Sequence, residues 1–127
     1  YAEAVKWYRK AADQGDVAAQ SSVGSMYATG RGVPKDFTAA LSWYHRAADQ
    51  GDASAQHNLG SLYAAGKGVP RDHVQALMWY TIAATRFPPE EAEHRALAVK
   101  GCEREAARMR HDEIAEAQRL AREWMRE

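Results

Sequence analysis

Hydrophobic and polar positions along the chain follow the period of an α-helix. Small and apolar side chains within residues 19–27 fall on one side of a 100° helical wheel, and residues 37–48 repeat the arrangement. The step Gly51-Asp52 joins two such stretches by one helix-stopping residue and one N-cap residue. A link of two residues forces consecutive helices to lie antiparallel. The pattern therefore predicts pairs of amphipathic helices and no strand.

The helix pairs recur with a fixed period. Trp-Tyr steps begin at Trp7, Trp43 and Trp79, 36 residues apart, and two consecutive 36-residue segments share 17 identities without a gap. The first 16 residues match the second half of this repeat at nine positions. Because the chain begins without Met and inside a repeat, we expect it to be a piece of a longer protein. The predicted divisions are the second helix of a truncated repeat at 1–16, whole repeats at 17–52 and 53–88, and a divergent segment at 89–127.

Four recurring residues are interpreted as structural. Gly24 and Gly60 fall in mid-helix, where a glycine costs about 1 kcal/mol relative to alanine. Such a repeated cost predicts that two helix backbones come close together at these points. Trp43 and Trp79 are expected in the core, where they and their tyrosine neighbours face the next repeat. Since one helix pair cannot bury both of its faces, stability is expected to come from stacking of repeats.

The loops between the two helices of a repeat carry their own signals. Gly30 can adopt the left-handed conformation that ends a helix, and Asp36 can cap the next helix. Gly66 and Asp72 repeat the arrangement one period later. Asp36 and Asp72 are therefore predicted N-caps.

These recurring residues resemble the signature of the Sel-one-like repeat family, a 36-residue relative of the tetratricopeptide repeat. The resemblance covers residues 1 to about 86. It implies an all-α, right-handed solenoid of antiparallel helix pairs that acts as a non-enzymatic scaffold, and a role in bacterial signalling or assembly at the cell envelope or in the periplasm. The positions that carry it are Ala19-Gln20, Val23-Gly24, Tyr27, Gly30-x-Gly32-Val33, Asp36, Ala40, Trp43-Tyr44 and Ala47-Ala48.

The segment after Pro88-Pro89 departs from the repeat but stays helical. Two apolar stripes at helical spacing predict two helices that cap the apolar edge of the last repeat. A helix from a second domain is the alternative interpretation. The stripes are Ala92, Ala96, Val99, Cys102 and Ala106, then Ile114, Ala117, Leu120, Ala121, Trp124 and Met125.

Composition limits the kinds of partner and site that this chain can have. The 17 Lys and Arg residues balance 17 Asp and Glu residues, which gives no electrostatic case for binding nucleic acid or anionic lipid. The sequence lacks an apolar run long enough for membrane insertion. Cys102 is the single cysteine, so it permits neither an intrachain disulfide nor a multi-cysteine metal site, and the five histidines lack a metal-binding spacing. We therefore expect no metal, cofactor or catalytic residue.

Positions that differ between the repeats give the candidate binding residues. The outer side of each first helix is short and mostly uncharged, without Lys or Glu, whereas a merely solvated face would normally carry them. In the tetratricopeptide relatives this surface lines the concave groove that holds peptides. The resemblance implies that a protein or peptide binds here, and His57 and Asn58 are the best hydrogen-bond donors. The candidates are Ser21, Ser22, Ser25, Ser54, His57, Asn58 and Ser61.

Two other functions stay open. A cysteine-rich branch of the same family has been associated with binding and hydrolysing β-lactams, but its members carry a disulfide in each repeat and this chain has no cysteine pair. The truncated N-terminal edge, residues 1–16, could instead pack within a longer chain or a homo-oligomer.

Overall fold

The computed structural model describes residues 2–126, which form seven α-helices and no strand. The predicted all-α class is confirmed. Tyr1 of the predicted N-terminal edge and Glu127 of the predicted cap lie outside the described residues. The helices are α1 (Ala2–Asp13), α2 (Val17–Thr29), α3 (Phe37–Asp49), α4 (Ala53–Ala65), α5 (His73–Arg86), α6 (Ala92–Ala106) and α7 (His111–Arg126), with a 3₁₀ turn at Pro89–Glu91.

Aspartate and glycine set the helix boundaries. Gly30 and Gly66 follow α2 and α4 with φ of 75° and 69°, a left-handed conformation that glycine adopts without strain. Helices α2 to α5 each begin after an aspartate whose carboxylate accepts a backbone N–H of the first turn. The pairs are Asp16 with Ala19 at 2.9 Å, Asp36 with Ala39 at 3.1 Å, Asp52 with Ser54 at 3.0 Å and Asp72 with Gln75 at 3.0 Å.

Consecutive helices pack side by side, so that α2 lies against α1 and α3, and α4 lies against α3 and α5. A buried glutamine ties each first helix to the helix before it. Gln20 Nε2 donates to the carbonyl of Ala12 at 3.2 Å, and Gln56 Nε2 donates to the carbonyl of Ala48 at 3.1 Å. Because both bonds join the end of one repeat to the first helix of the next, they hold successive repeats in register.

Tyrosine rings fill the notches left by the mid-helix glycines. A Cβ built on Gly24 would lie 2.8 Å from the ring of Tyr44. The same construction on Gly60 gives 2.9 Å to Tyr80. The glycines therefore admit an aromatic side chain from the second helix of the same repeat. The expectation of near contact between two backbones is wrong, because the flat ring occupies that space.

The three tryptophans of the Trp-Tyr steps lie in different surroundings. Trp43 is buried in a cluster with Ala12, Ala19 and Val23, so it packs toward α1 and α2 and not toward the next repeat as expected. Trp79 is buried in a cluster to which α3, α4, α5 and α7 contribute. Trp7 is 68% exposed, because α1 packs mainly against α2 and leaves its outer side open.

Both tail helices pack against α5. The buried face of α6 consists of Ala98, Gly101 and Glu105, whereas Val99 of the predicted stripe is exposed. The predicted α6 stripe is thus wrong in orientation, since the structure selects the face whose Gly101 admits the Tyr80 ring. Helix α7 lies against α5 through Trp124, whose ring meets Trp79 edge-on at 5.7 Å.

A contact between a histidine and a buried glutamate anchors the far end of α6. Glu105 is almost fully buried, and its Oε1 lies 2.8 Å from Nδ1 of His73, the first residue of α5. A pattern of apolar positions does not reveal that the polar side chain of Glu105 is buried. The carboxylate nevertheless helps to decide which side of α6 faces the repeats.

Candidate binding face

A cleft of about 500 Å³ opens along α2, where α1 and the start of α4 form its sides. We call it the α2 cleft. Its lining is mostly short and uncharged, with one arginine and one aspartate among the lining residues. These are Tyr8, Ala18, Ser21, Ser22, Ser25, Met26, Thr29, Arg31, Asp52 and Ser54.

Four of the seven predicted binding residues line the α2 cleft, but they differ in accessibility. Ser54 is exposed and Ser22 is half-buried, so both can meet a ligand. Ser21 is largely buried, with 9% of its surface exposed. Ser22 and Ser54 come from successive repeats, and the cleft therefore crosses a repeat boundary.

Two predicted serines already have hydrogen-bond partners within the fold. Ser25 Oγ lies 3.0 Å from the Tyr44 hydroxyl, and Ser61 Oγ lies 3.0 Å from the Tyr80 hydroxyl. Each serine follows the glycine whose notch holds the same tyrosine ring. Their recurrence at a 36-residue spacing was the signal for this internal role. Ser25 and Ser61 thus hold the tyrosines at the edge of the candidate face.

The remaining two candidates lie in a second cleft of about 220 Å³, which we call the α4/α6 cleft. His57 and Asn58 of α4 form one wall together with Ser54. The opposite wall comes from the end of the second whole repeat and from α6, which the sequence predicts only as part of a cap. Its residues are Phe87, which follows α5, and His94 and Leu97 of α6.

The His57 ring is held among other rings and charges. It lies 5.3 Å from the Tyr80 ring, and its Nδ1 is buried without a hydrogen-bond partner in the described part of the chain. Burial lowers the pKa of His57, and the nearby charges of Arg104 and His94 lower it further. The imidazole is therefore kept neutral at pH 7.

Sequence reasoning missed the residues that other elements bring to the two clefts. Tyr8 enters the α2 cleft from α1, and Phe87 from the end of α5 and His94 and Leu97 from the tail reach the α4/α6 cleft. Only the regular repeats carry a periodic signal. Residues in the divergent tail lack a counterpart one period earlier, so their position beside His57 follows from the three-dimensional packing alone.

The repeats match a known family. The Sel1 repeat matches residues 1–16, 17–52 and 53–86. The chain belongs to the Sel1 repeat family. Helical repeat proteins stack such units so that successive repeats form an extended binding surface for other proteins. The α2 cleft lies where two successive Sel1 repeats meet.

Solved Sel1-type structures share the fold. One is c5321 of uropathogenic Escherichia coli, described as a protective antigen with an SLR fold, which is 33% identical with a TM-score of 0.90 over 98% of this chain. Another is a Sel1 repeat protein from Oxalobacter formigenes, 45% identical with a TM-score of 0.65 over 74% of this chain. The match spans 26% of the first chain and 71% of the second. No curated protein matches this chain.

The cysteine of this Sel1 chain lies away from both clefts. Cys102 is half-buried on α6, with its Sγ 3.7 Å from the Thr81 hydroxyl. Burial raises the pKa of the thiol, which disfavours the nucleophilic thiolate. Among residues 2–126, acidic, histidine and cysteine side chains form no group that could hold a metal ion. Within the same range, no helix is long and apolar enough to cross a membrane.

Proposed function

We propose that this chain is a non-enzymatic binding module that holds a segment of a protein partner along α2 and α4. The single observation that carries the proposal is the α2 cleft, which is formed by two successive repeats and lined by small polar groups. Short side chains let the backbone of a bound segment approach closely. Their hydroxyls can donate to its carbonyls and accept from its amides.

The lining favours a ligand-facing surface over a solvated one. Ala18, Ser22 and Thr29 occupy positions on α2 where a freely solvated helix would normally carry Lys or Glu. Hydroxyl groups recognise peptide backbone with little demand on side-chain charge. The proposed partner therefore presents an extended segment, and signalling or assembly at the bacterial cell envelope is the proposed context.

A peptide-display selection tests the proposal. Peptides selected on the parent protein are measured by fluorescence anisotropy against Ser22→Trp, which fills the cleft, and Ser42→Trp, which places the same bulk on an exposed site of α3. We expect Ser22→Trp to weaken binding at least tenfold and Ser42→Trp to leave it unchanged. Equal binding to both variants, or turnover of a chromogenic β-lactam that Ser22→Trp abolishes, would contradict the proposal.

The outer side of α1 supports a second, weaker surface for self-association. Trp7 is largely exposed and Tyr8 is 43% exposed, although their counterparts in the two following repeats are buried. We propose that this edge packs either within a longer chain or against another copy of this chain. If a second copy covers it, light scattering over a range of concentrations should show a larger particle for the parent than for Trp7→Ala. A monomer at every concentration would rule out the homo-oligomer.

A further inference from the structure

A third cleft repeats the lining of the α2 cleft one period later. It has a volume of about 330 Å³ and is lined by residues of α2, α3, α4 and the loop after α4, and we call it the α2/α4 cleft. Its lining residues are Ala28, Phe37, Tyr44, Asn58, Ser61, Leu62, Ala65 and Lys67. Most of them have a counterpart in the α2 cleft 36 residues earlier. The pairs are Tyr8 and Tyr44, Ser22 and Asn58, Ser25 and Ser61, Met26 and Leu62, Thr29 and Ala65, and Arg31 and Lys67.

The paired residues include some that the fold uses and some that face a ligand. Ser25 and Ser61 are bonded to tyrosine hydroxyls. Asn58 is only half-buried, and its carboxamide makes no hydrogen bond within the described part of the chain. Arg31 and Lys67 are exposed, and each stands two residues after the end of a first helix. The two clefts therefore share one accessible polar position and one cation.

The loops beside both clefts carry an excess of positive charge. Each of the loops 30–36 and 66–72 contains two basic residues and one acidic residue, the aspartate that caps the next helix. The chain as a whole has no net charge, so this excess is local. A local field of this kind attracts an oppositely charged partner and is screened by salt. The basic residues are Arg31, Lys35, Lys67 and Arg71.

Two of these cations approach one aromatic ring of the α2/α4 cleft. The Nζ atoms of Lys67 and Lys35 lie 5.1 Å and 5.7 Å from the centre of the Phe37 ring. Neither lysine forms an ion pair with a carboxylate among residues 2–126. Two ammonium groups that share a ring repel each other, and an anion bound beside Lys67 would offset that repulsion.

The one carboxylate in the lining of the α2 cleft belongs to its other end. Asp52 is the N-cap of α4, and its side chain accepts the backbone N–H of Ser54 at 3.0 Å. Because α2 and α4 both run antiparallel to α3, the start of α4 and the end of α2 lie at opposite ends of the cleft. Arg31 follows the end of α2. The Arg31 end is therefore the end that favours an anion.

We propose that the two clefts together bind one acidic segment of the partner, which crosses α2 and α4 in turn and presents one Asp or Glu side chain to Arg31 and another to Lys67. The proposal rests on the proposed function and adds the charge and the spacing of the ligand. Ser22 and Asn58 can form hydrogen bonds with the backbone of the segment. Since equivalent clefts recur at one period, two acidic side chains at a matching separation bind more tightly than either alone.

Peptides with defined charge spacing test the proposal. Fluorescein-labelled Ser-Gly peptides that carry two glutamates, separated by spacers of increasing length, are titrated with the protein and followed by anisotropy. We expect the affinity to peak at one spacer length, to fall at least fivefold when either glutamate is replaced by glutamine, and to weaken with added salt. Affinity that is the same at every spacer length would overturn the tandem arrangement. Tighter binding of the matched two-lysine peptides would overturn the assigned charge.

Matched variants test the assignment of residues. Lys67→Met removes the charge from an exposed side chain and should weaken the best two-glutamate peptide at least fivefold, whereas Lys67→Arg should retain binding. In Lys67→Met, replacing one of the two glutamates should cost nothing further, and replacing the other should cost as much as in the parent. Arg122→Gln removes a charge from an exposed site on α7 and should leave binding unchanged. Equal losses for Lys67→Met and Arg122→Gln, with both folded by thermal melt, would reject the site in favour of general electrostatic attraction.

The display-selected peptides separate failure of this proposal from failure of the proposed function. Selected peptides that tolerate Ser22→Trp would contradict the proposed function and this proposal with it. Selected peptides that require Ser22, but bind equally well to Lys67→Met and with glutamine in place of glutamate, would support the proposed function and overturn only the acidic segment.

Discussion

Gly60 and Tyr80 are packed so closely that a Cβ on the glycine would lie 2.9 Å from the tyrosine Cδ1. Gly101 meets the same ring with an equivalent distance of 2.8 Å. The ring is thus held between α4 and α6, and it cannot move away from one helix without striking the other. One tyrosine joins the last regular repeat to the tail.

This packing predicts that Gly60→Ala destabilises the protein, although alanine is the better helix former by about 1 kcal/mol. We expect a net loss of about 1–3 kcal/mol from overpacking, measured by urea denaturation. In a Tyr80→Leu background the same substitution should cost less. A Gly60→Ala variant as stable as the parent would show that the ring has room to shift.

The buried side chains of Gln20 and Gln56 should differ in their contribution to stability. Gln20 both donates to Ala12 and accepts from Gln50 Nε2 at 2.8 Å, whereas Gln56 Oε1 is buried without a hydrogen-bond partner among the described residues. Gln56→Met also removes an unsatisfied oxygen, so we expect Gln20→Met to cost about 1–2 kcal/mol more. Chemical denaturation of both variants gives the difference directly. Equal losses would mean that the free oxygen is satisfied in solution.

Arg86 explains why Gln56 lacks the hydrogen-bond partner that Gln50 provides to Gln20. It stands one 36-residue period after Gln50, and its Cζ lies 5.5 Å from the Trp124 ring. The residue at the position equivalent to Gln50 therefore contacts α7 and does not bind Gln56. The contact between Arg86 and the tail takes the place of a glutamine–glutamine hydrogen bond such as that between Gln50 and Gln20.

Trp124 should be the main side-chain anchor of α7. It is half-buried against Trp79, with ring centroids 5.7 Å apart, and is covered by Arg86. We expect Trp124→Ala to lower the free energy of unfolding by about 2 kcal/mol through lost burial and aromatic packing. Val99→Ala is the control, because the exposed Val99 side chain should change stability by less than about 0.5 kcal/mol. Similar losses in the two variants would place the anchor of α7 elsewhere.

His45 should make stability sensitive to acid. Burial lowers its pKa, an effect that Asp49 opposes in part, and its Nε2 lies 3.2 Å from the Tyr63 hydroxyl. The unfolded chain therefore takes up a proton first, so this contribution is fully present above about pH 6.5 and is lost as the pH falls toward the folded-state pKa. His45→Gln should flatten the fall in unfolding free energy between about pH 7 and pH 5.

The parent protein, measured in the same buffers, is the reference for that measurement. If His45→Gln keeps the slope of the parent, the acid sensitivity arises from other groups, among which His57 also has a pKa lowered by burial.

The sequence by itself determined the helix pairs and the family, because backbone capping and the apolar period are local properties that recur every 36 residues. Asp36 needs only the amide of Ala39, three residues away, to start its helix. The same local patterns do not determine which polar side chains face solvent and which form hydrogen bonds within the fold. Ser25 and Ser61 have the composition of a binding surface, and only their distances to the tyrosine hydroxyls assign them to the fold.

Tertiary structure alone decided the orientation of the tail and the second wall of the candidate face. Helix α6 offered an apolar stripe through Val99 and a mixed face with Gly101 and Glu105, and the mixed face is the buried one. A notch for the Tyr80 ring and a carboxylate partner for His73 exist only after distant helices meet. These are contacts between residues far apart in the chain, which periodicity within a single helix does not encode.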